Sequence, residues 1–129
     1  RKYQLLNDIL VIPPSSCNAN KVKDMKNYPI FALQEEGGIT EISLSNWYFL
    51  SSKYGLPSTI TTDYDDRKGY EVHAEWDNGL IHTFTGFSWG YGGEGPRGFE
   101  KFLHECGFAY SIQDIAGWGK KQRMTWEIP

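Results

Sequence analysis

Between Tyr70 and Phe102 the chain writes a strand, a turn, a second strand, a glycine-rich loop and a helix start, and few folds accept that succession. Tyr70 to Asp77 and Leu80 to Phe87 are strand-like runs joined at Asn78-Gly79, a dipeptide whose tolerance of positive φ suits a type I′ hairpin turn. In that two-residue register Glu75 faces His82 and Trp76 faces Ile81. Five of the 14 glycines then fall between Gly90 and Gly98. Pro96 stands where the first position of a helix belongs, and Phe99, Phe102 and Leu103 recur at helical spacing until Gly107.

The remaining segments extend this architecture. Ile9 to Ile12 is a short apolar run stopped by Pro13-Pro14, the mark of an edge or terminal strand, and Ser15 to Asn20 reads as loop. Pro29 to Leu33 and Ile39 to Leu44 read as strands around a Gln-Glu-Glu-Gly-Gly turn. Ser45 is placed to cap a helix over Asn46 to Tyr54, with Gly55 at C′. Thr59 to Tyr64 is β-branched and strand-like, and Asp65 to Gly69 forms a turn. Phe108 to Ile112 and Met124 to Ile128 read as closing strands, separated by a loop from Asp114 to Gly119. The sum is a single α+β domain over residues 1–129, a mostly antiparallel sheet carrying two short helices. A chain of 129 residues is long enough to bury a real core.

Charge narrows the partners. The formal net charge is −3, and Lys and Arg are scattered apart from Lys21, Lys23 and Lys26 and from Lys120, Lys121 and Arg123. A long nucleic acid is gripped by neutralising its phosphates, so this chain is not expected to bind one. A small phosphorylated ligand needs only one cation and a ring of N–H groups. With no run of 18 apolar residues no membrane span is expected, and with no signal peptide the expectation is cytoplasmic. The two cysteines, Cys17 and Cys106, have no metal-ligand spacing and fit reduced thiols. Aromatic residues make up 16%, which suits either a binding surface or a ring-filled core.

The glycine loop is the candidate ligand site. Glycines leave backbone N–H groups unobstructed, and the start of a helix aims such groups and its positive dipole end at an anion. From Gly92, Gly93 and Gly95 to Gly98 these amides would face a phosphate, and Arg97 would add a charged fork. Phe87, Trp89 and Tyr91 would offer rings to a base or sugar. Glu94 opposes this, since a carboxylate repels an anion unless it turns outward or meets a ribose hydroxyl. The bland reading is a tight turn that holds a helix against a sheet.

Named motifs fail here on spacing. Gly90, Gly92 and Gly95 satisfy G-x-G-x-x-G, but a dinucleotide fold needs an early βαβ unit and a third glycine inside the helix. No Gly-Lys-Ser/Thr follows, which excludes a Walker loop. Gly86 to Gly90 satisfies G-x-S-x-G around Ser88, yet a nucleophile elbow enters its helix directly after the serine. His73 and His82, with Glu71 and Glu75, read as an exposed polar sheet face. Asp63, Asp65 and Gly69 echo a calcium loop, but Arg67 and Ala74 occupy ligand positions. Cys106 ends a helix, where the dipole disfavours the thiolate. No catalytic residue, metal ligand or cofactor is assigned.

The segment Trp89-Gly90-Tyr91-Gly92-Gly93-Glu94-Gly95-Pro96, followed by an amphipathic helix, resembles the glycine-rich signature of anti-Thoeris phage proteins, which sequester cyclic ADP-ribose-type signals. The resemblance covers about 20 residues around the loop. It implies a non-enzymatic homo-oligomer that holds a nucleotide-derived immune signal without cleaving it. The leading expectation is therefore binding or sequestration of a small phosphorylated ligand, with Asn78 or Asp114 reaching its polar edges. The alternative is a protein-interaction module, such as an immunity protein or inhibitor. A hydrolase working through Glu71, His73, Glu75 or His82 is the third reading.

Overall fold

A computed structural model describes residues 34–129, and the expected strands at Ile9 to Ile12 and Pro29 to Leu33 lie outside them. The fold is α+β, as expected, and the described residues form a four-stranded antiparallel sheet and three helices where the sequence suggested two. In chain order these are α1 (Thr40–Tyr54), β1 (Thr59–Asp65), β2 (Gly69–Glu75), β3 (Ile81–Phe84), α2 (Glu94–Glu105), α3 (Ile112–Ala116) and β4 (Thr125–Glu127). The strands lie in the order β3-β2-β1-β4.

Helix α1 corrects two expectations at once. It starts at Thr40, so the strand expected at Ile39 to Leu44 is helix, and Ser45 lies inside the helix rather than capping it. The stripe that packs inward begins with Thr40, Ser43 and Asn46 and continues through Trp47 and Leu50. Its first half is polar, and it is buried because each polar group finds a partner. Gly55 ends the helix with a positive φ of 78°, and its carbonyl accepts from Trp76 Nε1 at 2.9 Å.

The second hairpin carries a correction of one residue. Glu75 pairs with Ile81 and Ala74 with His82, so Glu75 does not face His82. Trp76 N–H donates to Leu80 O at 2.9 Å and Gly79 N–H to Trp76 O at 3.0 Å, while Gly79 has φ 91°. These bonds close a three-residue loop, a type I turn with glycine in the left-handed bulge position. One step of register reverses the faces of a strand. His82 therefore turns inward beside Val72 and Ala74, and His73 stays on the outer face.

Helix α2 begins two residues ahead of Pro96, and Gly107 (φ 102°) follows its end as expected. The strand expected over Phe108 to Ile112 and the loop over Asp114 to Gly119 are corrected by α3. Ser111 accepts from Asp114 N–H at 3.1 Å while Asp114 accepts from Ser111 N–H at 3.0 Å, a reciprocal cap that starts a short helix. The closing strand near Met124 to Ile128 is present as β4, with Trp126 opposite Ile60.

The core lies between the sheet and the two longer helices. Trp47 and Leu50 of α1, and Phe99, Phe102 and Leu103 of α2, are fully buried against Ile60, Val72 and Phe84. Edge-to-face contact between Trp47 and Phe102 (4.6 Å between centroids) and stacking of Phe87 on Phe102 (5.2 Å) tie the layers together. This core sets the glycine loop against the start of β2.

Candidate functional site

A groove of about 610 Å³ opens where three segments meet. These are residues 35–40 leading into α1, residues 68–71 at the start of β2, and the stretch from Thr85 to Gly95. Of the residues that the sequence assigned to the ligand site, Tyr91 and Gly95 line it, together with Glu94. A Cβ at Gly95 would stand 2.1 Å from Ser88 Oγ, so glycine is needed there for close approach. Ser88 Oγ and Tyr91 OH are 2.8 Å apart and form one polar wall.

The other candidates go elsewhere. Phe87 and Trp89 are 0% exposed and belong to the core, where Trp89 Nε1 donates to the carbonyls of Gly119 and Lys120. They present no ring to a ligand, which corrects that expectation. Gly98 is a packing glycine, since a Cβ on it would meet Thr40 Cγ2 at 2.5 Å. Gly93 caps α2, Gly92 is exposed, and Arg97 is exposed on α2 outside the groove. Arg97 contributes its backbone N–H to Gly93 O at 3.1 Å, the first hydrogen bond of the helix. The amides of Glu94 and Gly95, in the first turn, have no acceptor within the helix and stand at its positive end.

The charge of the groove differs from a simple phosphate cradle. Glu35, Glu36, Glu71 and Glu94 line it against Lys68. Glu35 is 5% exposed and saturated. Its Oε1 accepts from Ser43 Oγ and from Thr85 N–H (3.0 Å), and its Oε2 from Asn46 Nδ2 (2.9 Å) and His82 Nε2 (2.8 Å). Burial works to raise the pKa of this carboxyl. The hydrogen bond and charge of His82, with the Ser43 and Asn46 bonds, outweigh it and hold the group below its ordinary value. Ser43 Oγ also accepts from Gly86 N–H at 2.8 Å, and Thr40 Oγ1 donates to Gly86 O at 2.8 Å. The cluster bolts the residue 35–40 segment to β3 and α1.

This arrangement does not form a catalytic triad. His82 and Ser43 both contact the carboxylate, and Ser88, the serine of the G-x-S-x-G match, pairs with Tyr91 instead. Burial pushes the Cys106 thiol up to about 12, so it is no nucleophile. Glu71, His73 and Glu75 are on the outer face and His82 on the inner, which separates the residues of the hydrolase reading. Glu35, the hub of the cluster, carried no motif in the sequence, where it is one of two glutamates in a turn-like run. No known protein family matches the chain, and no characterised protein or solved structure shows significant similarity to it.

Proposed function

We propose that the protein is a non-enzymatic binding module that holds a small phosphorylated, hydroxyl-rich molecule in the groove beside the glycine loop. A nucleotide-derived signal of the cyclic ADP-ribose kind is the leading ligand class. The observation that carries the reading is the groove itself. Its volume of about 610 Å³ falls within the usual range for small-molecule sites, and Ser88, Tyr91, Glu94 and Gly95 of the loop form one wall. Three exposed or half-buried carboxylates, Glu36, Glu71 and Glu94, are acceptors for sugar hydroxyls and base amino groups. Lys68 and the first amides of α2 are the groups that would meet a phosphate. The rings of Tyr70 and Tyr91, 6.1 Å apart, supply apolar surface nearby.

The test is a thermal-shift screen with cyclic ADP-ribose isomers, ADP-ribose, cyclic dinucleotides, ATP and neutral sugars. At a hundred times its Kd a ligand stabilises the folded state by about 2.7 kcal/mol. For a domain of this size that is a rise in Tm of about 5–15 °C. The reading expects a shift with one phosphorylated class that is lost in Lys68→Ala and Glu94→Gln and kept in Arg97→Ala. Flat curves across the panel refute it and turn attention to a protein partner.

A further inference from the structure

We infer that the outer face of the sheet carries a binding site for a single divalent transition-metal ion of the zinc class, formed by Asp63, Glu71 and His73. One ligand atom from each residue lies within 4.8 Å of the other two. The ladder explains the grouping: Asp63 of β1 pairs directly with Glu71 of β2, and His73 follows two residues later on the same face. Like charges placed directly opposite each other on neighbouring strands destabilise a sheet, and a cation beside them relieves this. Here two carboxylates hold that position over a half-buried surface.

The histidine is the feature that distinguishes this cluster from an ordinary acidic face. His73 Nε2 points at Glu71 Oε1, 3.4 Å away, and its Nδ1 lies 2.8 Å from Thr83 Oγ1 on β3. With Nδ1–H donating to that hydroxyl, Nε2 keeps its lone pair free on the side of Glu71. Metal-bound imidazoles are held in this way by an outer partner. Zinc binds nitrogen and carboxylate oxygen at about 2.0–2.2 Å in tetrahedral geometry, which sets two donors on one ion about 3.4 Å apart. The three side chains must therefore draw together on binding, and Asp63 must give up part of its hold on Arg123 and the Tyr64 N–H. Three protein ligands leave at least one coordination position open.

A second polar group, at the groove that Glu71 lines, lacks a partner. Thr85 Oγ1 is buried and has no hydrogen-bond partner, the single such side-chain atom among the described residues. The β2–β3 ladder ends at Val72 and Phe84, and the residues just beyond that pair, Glu71 and Thr85, both line the groove. An unmet buried hydroxyl costs about 1–3 kcal/mol, a cost that a bound water or ligand removes. Arg123 is the competitor: its Nη2 lies 2.9 Å from Asp63 Oδ1 and takes up part of that carboxylate's charge.

The experiment is a calorimetric titration of the full chain with zinc ion alone, in chelator-free buffer, with the cobalt ion absorption spectrum as a second readout. It needs no small-molecule ligand, so it is read separately from the groove reading above, with which the site shares only Glu71. The expected result is one ion per chain. Thr83→Val should weaken binding by about ten- to a hundredfold, as loss of an outer-shell partner does. His73→Gln should weaken it more than Thr83→Val, and Arg123→Ala should tighten it by freeing Asp63. His104→Gln, on the exposed end of α2, should leave it unchanged. Melting curves of each variant without metal establish that it is folded. No binding, binding unchanged in folded His73→Gln, or binding lost in His104→Gln each overturns the proposal.

Discussion

Replacing Glu35 with alanine tests whether the buried cluster, rather than the glycine loop, holds the groove in shape. The substitution strips the acceptor from Ser43 Oγ, Asn46 Nδ2, His82 Nε2 and the Thr85 N–H at one stroke. Ser43 and Asn46 are 0% exposed and His82 is 5% exposed, so water cannot reach all of them without movement. A buried donor left unmet costs about 1–3 kcal/mol. Several such donors share this one carboxylate, and truncating one side of a buried ion pair sets the upper scale at about 3–5 kcal/mol. Water entering from the groove, which Glu35 lines, relieves part of the sum. The expected loss is therefore about 3–5 kcal/mol, close to half of a small domain's total stability of about 5–15 kcal/mol. Urea unfolding followed by tryptophan fluorescence measures it. The same cluster gives a pH dependence with a definite sign. Because the folded state holds the Glu35 carboxyl below its ordinary value of 4.5, the stabilisation is whole above pH 4.5. It is lost as pH falls through the lower folded value. Glu35→Gln should flatten that acid limb. A loss below about 1 kcal/mol in Glu35→Ala, or an unchanged acid limb in Glu35→Gln, would refute the reasoning.

Two other perturbations report on the same architecture. Gly86→Ala puts a Cβ 2.3 Å from Ile39 O and 2.7 Å from Ser43 Oγ, contacts that force backbone apart. It should destabilise by about 1–3 kcal/mol in the same urea assay, as overpacking does. Cys106 is buried with its thiol pushed up to about 12, so alkylation of the native protein followed by peptide mass mapping should leave it unmodified at neutral pH. Labelling of Cys106 as fast as in urea would show that this end of α2 opens.

What was legible in the sequence was local and repetitive. The strands β1, β2 and β4, the amphipathic stripe of α2 and the glycines at Gly55 and Gly107 all follow from spacing or from positive φ, properties that neighbouring residues decide among themselves. The Ser111–Asp114 cap of α3 is written in the chain as S-x-x-D, which carries its own hydrogen bonds, although the apolar residues there read as a strand followed by a loop. The start of α1 was hidden for a different reason. Its inward face reads Thr40, Ser43, Asn46, and a period built on apolar residues skips a stripe buried through hydrogen bonds to Glu35 and Gly86.

The candidate site divides the same way. The chain alone determined that a glycine-rich run would meet the start of a helix next to a hairpin, and that much stands in the fold. Which aromatic rings would be open and which buried was decided only in three dimensions. Phe87 and Trp89 lie under α2 and the 118–120 turn, while Tyr91, two residues on, looks into the groove. The hairpin register was decided there as well, by a turn one residue longer than Asn-Gly suggests. That residue sends His82 inward to Glu35 and leaves His73 outside with Asp63 and Glu71. Spacing along the chain governs backbone shape, but the face a side chain takes depends on partners that are 47 residues away in the case of Glu35 and His82. Sequence order carries no record of such partners.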